Sequence, residues 1–414
     1  MINVNFNFNL GIYRTFIASG KEDVYIEEGY APLLEQLDLH PGIKSNLFIE
    51  GVTLQQIAKK RPDLIKIIKK GMKRKQIEVD TYTYNHPVLT LIPYEDCYKQ
   101  IEEGIKINEE ILEIRPKGFM LPEQAWDPSL PKILEDLGIE YIVMGAAVLL
   151  RDRPELTGTD IHKSFTLNGV FKSKVRGVCM DSPGVKGEPE YYVEGGIVQG
   201  PEQNVKELAA KAALLSKESK GGDGLIMVCK NDAEFIYESS LAAVHGNRDW
   251  GRGGFAEHMG QSIKDVCFKK ARKMGEGWAV MEKMKEIKFV NLGEFVKKNK
   301  PAFDFTLRPS GRSDYREWLD GSEKVDYIWC EARNEIKCAE YTILLAGKMG
   351  LNIKKAEELL KEAWLMLLRA EISTGRRACA HPAGKATKVF TSMEDALTAK
   401  ELAKKAANAV KKGA

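Results

Sequence analysis

The sequence has no CxxC pair. Its seven cysteines stand at 97, 179, 229, 267, 330, 338 and 379. An odd number without paired spacing speaks against a disulfide framework and against a structural zinc site, and reads as reduced thiols in a cytoplasmic protein. No apolar run approaches the roughly 18 residues of a membrane-spanning helix, so no membrane partner is expected. The opening Met1-Ile2-Asn3-Val4-Asn5 lacks a basic start, an apolar stretch and a cleavage site, so no secretory leader is expected. Surplus charge is also missing. Sixty-two Lys+Arg against 59 Asp+Glu leave +3, which gives no electrostatic footprint for nucleic acid. GxxxxGK[ST], HExxH and GxSxG are all absent, and His245, His258 and His381 lack ligand spacing, so no metal or cofactor is expected.

What remains is an ordinary globular composition. The 414 residues are 43% hydrophobic and 29% charged, enough for a large core with an appended region. Residues 2–8 alternate, with Val4, Phe6 and Phe8 on one face and Asn3, Asn5 and Asn7 on the other. That is a strand of period 2. Helix and strand patterns then alternate: a helix over 26–39, a strand at 45–49, a helix opened by a Thr53/Gln56 capping box, another from Pro62, and a strand at 76–80. A long helix over 94–112, a strand at 118–121, a helix over 129–137 and a strand at 141–144 continue the rhythm, which points to a parallel sheet or barrel. Residues 151–200 are rich in Gly and Pro and read as an insertion. After a helix over 205–219, the apolar strand from Gly224 runs into Asn231-Asp232-Ala233-Glu234. A Lys-rich helical stretch over 262–288 and a short strand at 289–292 follow. From about 300 the pattern is helical, over 323–349, 353–373 and 392–412; the last, Lys/Ala-rich stretch reads as a solvated amphipathic helix.

Three segments carry chemistry. The strand Gly118-Phe-Met-Leu ends in Pro122-Glu123, and in a parallel α/β barrel catalytic groups stand at C-terminal strand ends. Trp126 nearby would offer an apolar platform. The plainer reading of Glu123 is a helix-capping residue. The second segment delivers Asp232 and Glu234 from an apolar strand; a carboxylate there and Glu123 would make the pair that glycoside hydrolysis needs. Its plainer reading is an Asp N-cap before Phe235. The third runs from Glu78 and Asp80 through Tyr82 and Tyr84 to His86-Pro87, a combination suited to sugar by stacking and hydrogen bonding. A lone His is otherwise a structural hydrogen-bonding residue. Gly251-Arg-Gly-Gly reads as a loop, and Cys229 as a small buried residue.

In this order the segments resemble glycoside hydrolase family 57, the α-glucan-active amylases, glucanotransferases, branching enzymes and amylopullulanases. Glu78 to Pro87, then Val-Leu-Thr-Leu-Ile-Pro, is similar to its E…Y-x-H-P-I-L-P-L region. Gly118 to Trp126 is similar to its G-F-W-L-P-E-x-A-W region, and Asn231 to Phe235 to its D-x-E-x-F region. Val290 to Phe295, Gly311 to Trp329 and Ala363 to Glu371 resemble later segments, so the likeness runs along nearly the whole chain. The resemblance implies a distorted seven-stranded (β/α) barrel over 1–300 and a helical region over 301–414 packing on it. It implies a retaining mechanism, with Glu123 as nucleophile and Asp232 as general acid/base. It implies an α-linked oligo- or polysaccharide as partner, with Asn9, His86, Trp126, Glu234, Tyr84 and Trp364 binding substrate. Tyr82, Tyr237 and Trp250 join Tyr84 and Trp126 as candidates for an acceptor site.

Three departures stand out. Asn9 takes the place of the His in the family's His-Gln-Pro box, Ile236-Tyr237-Glu238 replaces Gly-His-Trp, and Met120 replaces an aromatic. They leave room for a related enzyme on a different glycan, or for a non-catalytic sugar-binding homologue. A deacetylase of similar barrel is disfavoured, because no HxxxH occurs. The sequence does not fix an oligomeric state.

Overall fold

The computed structural model describes residues 1–12, 22–156, 158–180, 201–219, 224–245, 261–310, 315–380 and 386–411. Trp250, the Gly251-Arg-Gly-Gly segment, His258 and His381 lie outside these residues, as do 181–200 and 311–314.

Ten strands among the described residues form one sheet: β1 (Ile2–Leu10), β2 (Ser45–Ile49), β3 (Ile77–Thr81), β4 (Gly118–Met120), β5 (Tyr141–Gly145), β6 (Phe165–Asn168), β7 (Lys174–Met180), β8 (Ile226–Asp232), β9 (Ile287–Phe289) and β10 (Phe303–Thr306). Their order is β10-β6-β7-β5-β4-β3-β2-β1-β8, with β9 set beside β1. β9 pairs with Ile2–Val4 and β2 takes over from Phe6, so the two share one edge of β1. All neighbours are parallel except β6 and β7. The sheet curls until β7 comes against β8. The count of seven strands implied by the resemblance is therefore not what the sheet has. The short strands β6 and β10 extend it beyond β7, and β9 fills the lower edge of β1.

Within the stretch 151–200, residues 158–180 are more ordered than its Gly and Pro content suggests. The hairpin of β6 and β7 lies there, and β7 pairs in parallel with β5 from Arg176 to Met180. β10, past residue 300, pairs with β6. The capping box expected at Thr53 is not formed. The helix Gly51–Lys60 begins earlier, with Glu50 at its N-cap, and the Thr53 hydroxyl donates to Glu50 Oε2 at 3.3 Å.

Period-2 alternation sorts the strands into two faces. Val4, Phe6 and Phe8 of β1, Leu47 and Ile49 of β2, Val79 of β3, and Met227 and Cys229 of β8 pack outward under helices such as Ala31–Leu39 and Ile263–Met281. Phe48, Met120, Tyr141, Val143, Val178 and Val228 pack together on the other face. The asparagine face of β1 is buried as well.

The helices Glu323–Lys348, Lys354–Ala370, Ser373–Ala380 and Ala386–Lys411 form the helical C-terminal region. Ala356, Ala363 and Ala370 meet Ala396, Ala399, Ala403 and Ala406, and small side chains on both sides let the helices approach closely. No helix among the described residues is long and apolar enough to cross a membrane.

Candidate active site

Five polar residues stand at the C-terminal ends of five neighbouring strands. Asp232 closes β8, Asn9 lies at the end of β1, Glu50 follows β2, His86 follows β3 and Glu123 follows β4. The sheet order β4-β3-β2-β1-β8 therefore strings them along one edge. The apolar outward faces lock the strands against helices, and the chain is free to turn only where each strand stops. Polar groups at these turns are held on a rigid frame, as in other parallel α/β sheets.

The turn that carries Glu123 is left-handed at two consecutive residues, φ +50° at Glu123 and +57° at Gln124. Each such non-glycine conformation costs on the order of 1 kcal/mol and persists only where the surroundings enforce it. They do so here. The Gln124 side-chain oxygen accepts from the Gly145 amide at the end of β5. Trp126 and Ser310 exchange backbone hydrogen bonds of 2.8 and 2.9 Å. The Glu123 Oε1 atom accepts from the Ser373 hydroxyl at 2.7 Å and lies 3.7 Å from His86 Nε2.

His86 is also left-handed, at φ +51°. Its amide donates to Thr83 Oγ1 at 2.9 Å, and its ring lies 4.9 Å from that of Tyr82. Its Nδ1 is 3.0 Å from Glu50 Oε1. The imidazole thus sits between two carboxylates, close to Glu50 and at ion-pair distance from Glu123. Thr53 connects Glu50 to the end of β1, because its hydroxyl also accepts from the Ile12 amide at 3.0 Å.

At the other end of the row, Asn9 and Asp232 are register partners across β1 and β8. The Asn9 amide donates to Asp232 Oδ1 at 2.9 Å, and the Lys230 ammonium donates to Oδ2 at 2.5 Å. Asn9 is thus a donor to the carboxylate at the place where the family resemblance puts a His. The Glu123 and Asp232 side chains each keep 14% of their surface exposed, so an incoming molecule has access to both. Glu234 is buried, and its carbonyl accepts from the Tyr237 and Glu238 amides. The Glu238 carboxylate accepts from the Tyr25 hydroxyl at 2.9 Å.

A polar network lies deeper in the curl. Asn46 donates to Asp80 at 2.6 Å and to Glu78 at 3.1 Å; Tyr141 donates to Asp80 at 2.5 Å. Asn5 donates to Asn46, and the amides of Gly118 and Gly293 donate to Asp80 and Glu78. Burial, with the Asp80 charge beside it, pushes the Glu78 carboxyl up to about 8. Burial likewise raises Asp80. Glu78 and Asp80 thus serve an interior network rather than a sugar-binding groove.

The remaining sequence candidates are placed as follows. Trp126 is fully buried in the core, with its indole N–H on the Leu307 carbonyl at 3.3 Å. It offers no exposed platform. Tyr84 is also a core residue. Trp364 lies in the helical region, bonded to Glu340 at 2.7 Å and flanked by the ammonium groups of Lys99 and Lys337. Sequence reasoning missed Glu50, Lys230 and Ser373. Glu50 follows an apolar strand, as Glu123 does, and the same strand-end rule would have found it. Among the described residues, no three metal-ligating side chains converge.

Comparison with known proteins gives this arrangement a context. The family model for glycosyl hydrolase family 57 matches residues 8–175, which contain Asn9, Glu50, His86 and Glu123. Over those residues the chain is similar to glycosyl hydrolase family 57. An alpha-amylase of Pyrococcus abyssi is 33% identical over 150 residues, 35% of this chain and 22% of that protein. A 4-alpha-glucanotransferase of Thermococcus litoralis is 34% identical over 146 residues, again 35% and 22%. The matched stretch thus spans about a fifth of the length of these curated relatives. The fold similarity runs further. A solved family 57 branching enzyme of Thermococcus kodakaraensis covers 100% of this chain and 92% of its own, with TM-score 0.71 at 14% identity.

Proposed function

We propose that the protein is a retaining glycoside hydrolase or glucanotransferase acting on α-linked glucans. The observation that carries this reading is the row of strand-end residues, with Glu123 at one end and Asp232 at the other, in a chain whose residues 8–175 match the family 57 model. Glu123 attacks the anomeric carbon; the bond to the leaving oxygen breaks as Asp232 gives that oxygen its proton. A glycosyl ester on Glu123 results. Asp232, now the base, takes a proton from water or from an acceptor hydroxyl, and the new C–O bond releases Glu123. His86 orients the nucleophile from the Glu50 side. Asn9 fixes Asp232 from β1.

A different glycan is the second reading. The contact between Asn9 and Asp232 favours it, because a neutral amide stands where the family resemblance has an imidazole.

The experiment is incubation of purified protein with maltoheptaose, with products resolved by chromatography, beside Glu123→Gln. Shorter sugars alone mean hydrolysis; shorter and longer sugars together mean transfer. Glu123→Gln is expected to abolish either while glycan binding persists. Near-normal turnover in that variant would contradict the mechanism.

A further inference from the structure

Ser373 belongs to the helical C-terminal region, yet its two donors reach two residues of the strand-end row. Its hydroxyl donates to Glu123 Oε1 at 2.7 Å. Its backbone amide donates to the His86 carbonyl at 3.0 Å. Those two residues follow adjacent strands, and both hold a left-handed backbone. Ser373 itself is fully buried.

The segment that delivers Ser373 is tied to the barrel at several points. Gln100 donates to the Leu368 carbonyl at 2.8 Å, and Asn85 to the Arg369 carbonyl at 2.6 Å. Glu371 accepts from Arg333 at 2.7 Å, and Arg333 also donates to Asp96 on the helix Tyr94–Leu112. The Asp96 and Glu371 side chains are wholly buried around that guanidinium. A buried ion triad is a costly way to gain stability, but it fixes registry well. Here it sets the end of the helix Lys354–Ala370, three residues before Ser373.

We infer that Ser373 is a positioning residue for Glu123, so that the helical region completes the active site rather than merely covering the barrel. This rests on the reading of Glu123 as nucleophile. A glutamate carboxylate on three rotatable bonds samples many directions in water. With Oε1 committed to the Ser373 hydroxyl, rotation about the last bond is stopped and the lone pairs are aimed. Attack on an anomeric carbon depends on such aim. The His86 carbonyl is fixed by the same residue, so imidazole and carboxylate keep their mutual distance.

The test uses α-glucosyl fluoride, whose C1–F bond breaks with little need for a proton, so that release of fluoride follows attack by Glu123 and not donation by Asp232. Wild type, Glu123→Ala, Ser373→Ala, Ser373→Thr and Ser373→Cys are compared in the full chain. Ser373→Ala is expected to lower kcat for fluoride release at least about tenfold while KM stays within about threefold. Ser373→Thr, which keeps the hydroxyl, is expected to recover most of the rate, and all variants to melt near the wild-type temperature. Should the alanine variant fail to fold, Ser373→Cys keeps the volume with a weak donor and is expected to show the same loss. A kcat within about twofold of wild type in Ser373→Ala or Ser373→Cys, with Glu123→Ala inactive, would overturn the inference alone. Fluoride release by Glu123→Ala at the wild-type rate, or none by the wild type, would overturn the nucleophile reading itself.

Discussion

Asn9 and Asp232 face one another in register across β1 and β8, and the Asn9 amide donates to the Asp232 carboxylate at 2.9 Å. The Lys230 ammonium takes the other oxygen at 2.5 Å. Both contacts orient the group proposed to act first as an acid. An ammonium beside a carboxyl also favours its ionised form, so the charge of Lys230 works against the first proton transfer.

Removing that charge therefore has a definite sign. In Lys230→Met, Asp232 holds its proton to higher pH, and the alkaline limb of the kcat/KM profile is expected to move up. Profiles of wild type and variant on the same glycan decide it. An unmoved limb, or one moved to lower pH, would mean that Lys230 does not tune the acid.

The pair Glu78 and Asp80 predicts a pH dependence of stability rather than of rate. Glu78 is raised from its ordinary 4.5 to about 8 by burial and by Asp80. Below about 4.5 it is protonated in both folded and unfolded chains and its contribution is fully present. As pH rises from 4.5 through about 8 the unfolded chain gives up this proton first, and that contribution is lost. Glu78→Gln, which can still accept from the Gly293 amide, is expected to gain melting temperature over wild type progressively across this window and to level off above it. A difference that does not vary with pH would contradict the account.

Trp126 tests burial against the sugar-platform reading. It is fully buried and bonded to Leu307. Trp126→Ala is expected to cost about 3–5 kcal/mol in unfolding free energy, as for other buried aromatics cut to alanine. A loss of glycan affinity with an unchanged denaturation midpoint would restore the platform.

Much of this was legible in the sequence. The alternation of Val4, Phe6 and Phe8 with asparagines marks β1, and apolar runs ending in Glu123 and Asp232 mark two strand ends of the candidate site. His86 was legible from its Pro and the tyrosines before it. Other parts were hidden for physical reasons. Glu50 also starts a helix, so local pattern gives it a capping role and conceals its contact with His86. Ser373 lies 250 residues from Glu123, and only the packing of the helical region brings them together. β7 is flanked by Gly- and Pro-rich segments that mask a strand buried within the sheet. An aromatic after a strand end reads equally as platform or core, and for Trp126 the backbone pairing with Ser310 turns the ring inward.

The central claim is that Glu123 forms a bond to the sugar and that the reaction proceeds by two inversions. The most direct measurement is the anomeric configuration of the first product, followed by proton NMR during hydrolysis of an α-linked maltooligosaccharide faster than mutarotation. The account predicts that the α anomer forms first. The β anomer forming first would contradict it and would make Glu123 a base acting on water.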